Sequence, residues 1–215
     1  MAAALFIPPC LPTPRHRSPS GKGWLHELKF DGWRLQLHRG AGRVRLYSIE
    51  GDEFTRRYPS IVGAMLHLPC SVVIDAELTA CTEDGRPDVG ALVRGATTGL
   101  RVWCFDLLAI HGNDLRAQPL AQRKERLARM IAAAGDARLR YSNHFDDMAC
   151  LLKTCKGRQP QGIVSKQKKA PYRAGPSGDW VKVNCIVSGN EELWWRGKLY
   201  GTTPTRDDPL PFTRR

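Results

Sequence analysis

The chain has 215 residues, 42% of them hydrophobic, and its 33 Lys and Arg against 21 Asp and Glu give a net charge of +12. This is enough apolar material for one packed domain with or without a tail, and the basic excess favours a polyanionic partner, nucleic acid first. Seven cysteines, an odd number with no Cys-x-x-Cys pair, support neither a disulfide framework nor a zinc site. A reducing cytoplasm fits this cysteine usage, and neither a secretory signal nor a membrane span is legible.

Residues 1–23, rich in Pro, Ser, Arg and Gly, read as an extended lead-in on the domain surface, with Leu5, Phe6 and Ile7 able to pin it to the core. Alternating apolar positions predict strands over 24–29 and 33–39, joined by a tight Asp31-Gly32 turn. Gly40-Ala41-Gly42 turns the chain into a further strand at Val44-Arg45-Leu46-Tyr47. Pro59 opens a short helix with Ile61, Val62, Met65 and Leu66 on one face. Val72 to Leu78 is an apolar run carrying Asp75 and Glu77, a buried strand with polar residues that need an explanation. After a turn at Glu83 to Pro87, Val102 to Leu108 is a second buried strand, ending at the His111 to Asp114 turn.

Leu120, Leu127, Met130, Ile131 and Ala134 fall at helical spacing and predict a helix over 120–134, stopped by Gly135. Its Arg123-Lys124-Glu125-Arg126 run reads as a solvated face. A second helix is predicted from about 146 to 156, then strands at 162–166 and 180–183. Cys81, Cys104 and Cys185 lie in apolar runs as small core residues. His111 and His144 are lone loop histidines without metal-ligand spacing. The pattern is α+β: mostly antiparallel sheets with flanking helices. Beyond Ile186 it fails, and 187–215 reads as a divergent tail in which Trp194-Trp195 either stacks on bases or tucks against the domain.

The stretch with the most chemistry is Glu27-Leu28-Lys29-Phe30-Asp31-Gly32-Trp33-Arg34, a strand, turn and strand that presents Lys29 beside Glu27, Asp31 and Arg34. An ordinary lysine has a pKa of about 10.4, so roughly 1 in 2,500 is a neutral nucleophile at pH 7. A neighbouring cation such as Arg34, or a bound metal ion, raises that fraction. Gly32 lets backbone or ligand approach closely. A plain surface hairpin with a solvated lysine is the alternative.

Lys-x-Asp-Gly followed by an aromatic residue and Arg resembles the nucleotidyl-acceptor motif of ATP-dependent DNA ligases and mRNA-capping enzymes, and the flanking residues resemble the bacterial end-joining type. Further motifs follow in order: Ser48-Ile49-Glu50-Gly51, Asp75-Ala76-Glu77, Phe105-Asp106-Leu107-Leu108, Gln161-Gly162-Ile163-Val164-Ser165-Lys166, and Trp180-Val181-Lys182-Val183-Asn184. The resemblance runs from about Phe6 to Cys185. It implies the nucleotidyltransferase (ATP-grasp-like) fold, with an adenylation domain over 24–186.

The resemblance also implies that Lys29 attacks the α-phosphate of ATP and carries AMP to a 5′-phosphate in nicked or broken duplex DNA. A 3′-hydroxyl then displaces the AMP, in repair or recombination at the nucleoid. Glu27, Lys29, Arg34, Glu77, Phe105, Lys166 and Lys182 would bind the nucleotide, and Glu77 would hold Mg²⁺ or Mn²⁺. By chemistry alone, Arg34, Lys166 and Lys182 supply cations for an in-line phosphoryl transfer. Glu77 supplies an oxygen ligand, and Phe105 a stacking face. Core packing remains open for Phe105, and solvated strand ends for the two lysines.

Four positions depart from the family pattern: Ile49 for Arg, Ala76 for Gly, Gln161 for Glu and Asn184 for Lys. Loss of charged partners of this kind costs on the order of 2–3 kcal/mol each. Family ligases also carry an OB-fold domain beyond this point, so a clamp or end-joining partner protein is expected to supply that part. A degenerate remnant that binds DNA or nucleotide without ligation is the second expectation, and a capping-type guanylyltransferase the third.

Overall fold

A computed structural model describes residues 6–40, 42–83, 85, 87–154 and 161–184. In chain order, β1 (Cys10–Pro14), β2 (Trp24–Lys29), β3 (Trp33–Gly40) and β4 (Arg43–Tyr47) precede the helix α1 (Pro59–Leu66). Next come β5 (Val72–Ala80), the short helix α2 (Val89–Val93), β6 (Leu100–Ile110) and β7 (Asn113–Asp114). They are followed by α3 (Leu120–Ala134), β8 (Leu139–Tyr141), β9 (His144–Phe145), α4 (Met148–Thr154), β10 (Gly162–Gln167) and β11 (Gly175–Asn184).

The strands form two sheets. The first runs β1-β11-β10-β2-β9, and the second β4-β3-β5-β6-β7 with β8 alongside β6. All pairings among these named strands are antiparallel except β1 with β11 and β6 with β8. The expected α+β class and its mostly antiparallel sheets are therefore what the chain adopts. The chain passes from the first sheet to the second between Lys29 and Trp33, at the stretch that carries the nucleophile candidate.

The main core lies between the second sheet and the helices. Leu35, Leu37, Ile74, Val102 and Leu107 from the strands meet Ile61 and Met65 of α1 and Leu127 of α3. Each such side chain contributes about 1.5–3 kcal/mol over an exposed one. A smaller cluster of Cys10, Val73, Leu108, Tyr172 and Trp180 joins the sheets to each other. The lead-in takes part in this junction. β1 is an edge strand of the first sheet, while the Gln36 amide on β3 accepts from Ile7 N–H (2.9 Å) and donates to Ile7 C=O (2.8 Å).

Several local expectations shift. Leu66 is 50% exposed, and Ala64 takes its place in the buried face of α1, because the helix ends there and the chain turns away. Arg123 and Lys124, expected on a solvated face of α3, are fully buried. Gly135 does stop α3, in the left-handed region at φ 63°. Cys104 is buried as expected, and Cys81 is half-buried. The strands β7, β8 and β9 and the helix α2 were not legible, being five residues or fewer. Cys185, Trp194-Trp195 and the tail lie outside the described residues. Among the described residues no helix is long and apolar enough to cross a membrane.

Candidate active site

Two glycines fix where Lys29 sits. Lys29 is the last residue of β2 and lies opposite Gly162 of β10. A Cβ on Gly162 would stand 2.3 Å from Val183 O and 3.2 Å from Lys29 Cδ, so only a bare backbone lets the lysine lie across β10. Three residues on, a Cβ on Gly32 would stand 2.0 Å from Leu78 O, so the chain enters the second sheet in contact with the β5 backbone. Between these contacts Lys29 Nζ pairs with the carboxylate of Asp31. Phe30 stacks on Trp103 of β6, with ring centroids 4.1 Å apart.

Arg34, at the start of β3, clamps Asp75 of β5 with a two-pronged contact, Nε to Oδ1 at 3.0 Å and Nη2 to Oδ2 at 2.6 Å. The Tyr172 hydroxyl donates to the same carboxylate at 2.6 Å. Asp75 is thus committed within the protein. Glu77, two residues along and on the same face, is half-buried and directly opposite Arg34 in register. Burial pushes its pKa up to about 7, and the charges of Arg34 and Lys29 offset this only in part.

Behind the lysine lies a buried charge cluster. Glu27 is 2% exposed, with Lys124 Nζ and Lys166 Nζ each 2.9 Å from Oε1, and the Ser142 hydroxyl donates to Oε2 at 2.8 Å. Burial would push the Glu27 carboxyl upward, but the two lysines outweigh it and hold it below the usual carboxylate range. Burial, with Lys166 nearby, brings Lys124 down to about 8 despite Glu27. Lys124 also donates to the backbone carbonyls of Ser142 (3.1 Å) and Phe105 (3.3 Å).

Phe105 is half-buried, packed against the small cluster that joins the sheets and also part of the cleft wall. Its ring packs edge-to-face on Trp180 at 6.0 Å and faces the Lys166 ammonium at 4.4 Å and the Arg34 guanidinium at 5.3 Å. Lys166 is 2% exposed, so it is no solvated strand end.

These groups line one cleft of about 690 Å³ between the sheets. Glu27, Lys29, Arg34, Glu77, Phe105, Lys166 and Lys182 all contribute to its walls, so the structure brings together every site residue singled out from sequence. Asp75, Lys124, Ser142 and Tyr172 are the supporting residues that sequence did not assign to the site. Lys124 carried one usable signal: it falls on the apolar stripe of α3, four residues after Leu120 and three before Leu127.

The four departures differ in placement. Ile49 is on the cleft wall and 38% exposed, contributing no charge there. Ala76 is fully buried in β5 and outside the left-handed region, so a methyl group is tolerated. Gln161 and Asn184 are exposed at the ends of β10 and β11, beside the Gly162 crossing.

The donor set suits a magnesium ion that arrives on nucleotide phosphates. Such an ion commonly takes one or two protein carboxylates and completes its shell with phosphate and water. Glu77 is a carboxylate whose charge burial disfavours, and among the described residues no hydrogen bond or ion pair anchors it as Arg34 and Tyr172 anchor Asp75. No ready-made cluster of three His, Cys, Asp or Glu ligands occurs among the described residues.

Comparison with known proteins agrees with this architecture. The family model of the ATP dependent DNA ligase domain matches residues 16–184. The chain is 33% identical over 187 residues to the multifunctional non-homologous end joining protein LigD of Pseudomonas aeruginosa, covering 84% of this chain and 22% of that protein. It is 34% identical over 170 residues to a probable DNA ligase of Mycobacterium sp. strain KMS, covering 74% of this chain and 33% of that protein. The chain therefore spans a third or less of the length of these curated relatives. Among solved structures, mycobacterial DNA ligase D complexed with ATP and MES superposes with a TM-score of 0.70 at 26% identity, covering 82% of this chain and 59% of that one. The bacteriophage T7 ATP-dependent DNA ligase shares the fold at a TM-score of 0.53 and 14% identity, over 76% of this chain and 62% of that one.

Proposed function

The chain belongs to the ATP-dependent DNA ligase family, and we propose that Lys29 is its adenylate acceptor. The observation that carries this reading is the position of Lys29: it ends β2 in the inter-sheet cleft, with Arg34, Lys166 and Lys182 on the walls around it. The neutral Nζ of Lys29 attacks the α-phosphorus of ATP. An N–P bond forms, the bond from that phosphorus to the bridging oxygen breaks, pyrophosphate departs, and the nitrogen gives up its proton. Asp31 holds the nitrogen in place before attack. Lys166 and Lys182 supply positive charge toward the phosphates, and Arg34, locked on Asp75, keeps β3 and β5 in register beside them.

A divalent ion held by Glu77 and the nucleotide would neutralise charge on the departing pyrophosphate. Magnesium is the proposed ion. Phe105 and Trp180 provide the apolar wall of the cleft against which a purine can lie. In the second half of the reaction a DNA 5′-phosphate oxygen attacks the adenylate phosphorus, the N–P bond breaks and Lys29 regains its amine. A 3′-hydroxyl then attacks the activated 5′-phosphate, loses its proton and expels AMP. The substrate is thus nicked or broken duplex DNA, and the setting is repair or recombination in the bacterial cytoplasm.

The test is intact mass after incubation with ATP and Mg²⁺, with Mn²⁺ in parallel. Wild type should gain one AMP, and Lys29→Ala should gain none. Folded wild type without an adduct under either metal would overturn the enzyme reading. It would favour a remnant that only binds DNA or nucleotide, for which the four departures Ile49, Ala76, Gln161 and Asn184 are the motivating positions.

A further inference from the structure

The arginines near the cleft are mostly spent on the protein's own carboxylates. Arg34 holds Asp75, Arg123 holds Asp106, and Arg173 holds Asp179. Arg57 is different. It ends the short 3₁₀ turn Thr55–Arg57, is exposed, and pairs with no carboxylate among the described residues. Its guanidinium carbon lies 5.5 Å from the Trp33 ring, 5.3 Å from Phe54 and 5.6 Å from Tyr58. Trp33 and Phe54 line the cleft, and Tyr58 anchors the group from the core at 2% exposure.

Three rings hold one cation in place without using its hydrogen-bond donors. Cation–ring contacts need none of the guanidinium's five N–H groups, and the Arg57 side chain donates no hydrogen bond among the described residues. The result is a pre-oriented fork of donors at the lip of the cleft. The ligand such a fork fits best is a phosphate, which accepts two parallel hydrogen bonds. Arg57 is not itself a cleft wall; it flanks the wall formed by Trp33 and Phe54. A phosphate bound there belongs to a chain passing over the mouth, and the net charge of +12 favours a polyanion in that place.

We infer that Arg57 is a contact for a backbone phosphate of the DNA strand that crosses the cleft mouth. This rests on the ligase reading above and extends it to the DNA-binding surface.

The experiment is titration of a labelled nicked duplex by fluorescence anisotropy, in magnesium-free buffer, across a series of salt concentrations. Arg57→Met keeps an apolar stem over the rings and removes the charge. It should lower the slope of log affinity against log salt by about 0.9 and weaken binding about five- to tenfold near 0.1 M salt, as expected for one lost phosphate contact. Arg57→Lys keeps the charge but not the fork, and should keep the slope while losing part of the affinity. Arg126→Ala removes the same charge from the exposed face of α3 and should leave the slope unchanged. Thermal melts of each variant separate loss of contact from loss of fold.

If Arg57→Met matches wild type in slope and affinity, the role of Arg57 is overturned while the ligase reading stands. If wild type fails to bind the nicked duplex, the nucleic-acid reading as a whole falls, and Arg57 with it.

Discussion

Glu77 is the residue whose charge state the fold leaves undecided. Its neighbour Asp75 accepts hydrogen bonds from Arg34 and Tyr172, whereas burial brings the Glu77 pKa up to about 7. In the unfolded chain a glutamate loses its proton near pH 4.3. Between that value and about 7 the native state therefore holds a proton that the unfolded state has released. Stability from this group falls as pH rises through that window, and above it the full cost is expressed, about 3 kcal/mol.

Glu77→Gln removes the titration. The variant should match wild type near pH 4 and be more stable by up to about 3 kcal/mol at pH 8, as read from urea unfolding at both values. Mg²⁺ with ATP should recover stability for wild type at pH 8 and do less for the variant. A stability gap that does not change with pH would count against this account of Glu77. Its importance was legible, because a carboxylate inside Val72 to Leu78 demands a reason. Lys124 was not legible as a site residue. Its burial depends on Glu27 and Ser142, which meet it only after folding, and a charged run on a helix ordinarily faces water.

At the scale of elements, strand periodicity marked β2, β3, β5, β6, β10 and β11 because one or both faces are buried and the side chains alternate accordingly. Register and sheet membership were not readable, since they are set by contacts such as Gly162 against Val183 that link distant segments. This contact gives a sharp prediction. Gly162→Ala places a methyl carbon 2.3 Å from a backbone oxygen, so β10 and β11 must separate. Overpacking of this kind costs about 1–3 kcal/mol or more, and the displaced strand carries Lys166 and faces Lys29. The variant should unfold at lower urea concentration and lose most of its adenylation rate. Gly178→Ala, in the neighbouring strand β11 and with nothing within 4 Å of the added carbon, should be near neutral in both measurements. Equal effects from the two variants would show that the loss reflects glycine removal in general and not the crossing.

For the whole molecule, the cleft is shared: β2, β10 and β11 of one sheet supply Lys29, Lys166 and Lys182, and β3, β5 and β6 of the other supply Arg34, Glu77 and Phe105. A nucleotide held there touches both sheets, so its binding free energy must appear as stability of the domain. The gain is about 2.7 kcal/mol when ATP stands at 100 times its dissociation constant. Lys29→Ala should keep most of this thermal shift, because it removes the attacking nitrogen and leaves the cationic walls and the apolar wall in place. Lys166→Ala should lose much of it, since Lys166 lies at the junction of Phe105, Trp180 and Glu27. Hydrogen exchange should show the added protection in β3 and β5 as well as in β10 and β11. Protection confined to one sheet would mean that the nucleotide sits on a single wall, and the shared-cleft account would then fail even if an adduct forms.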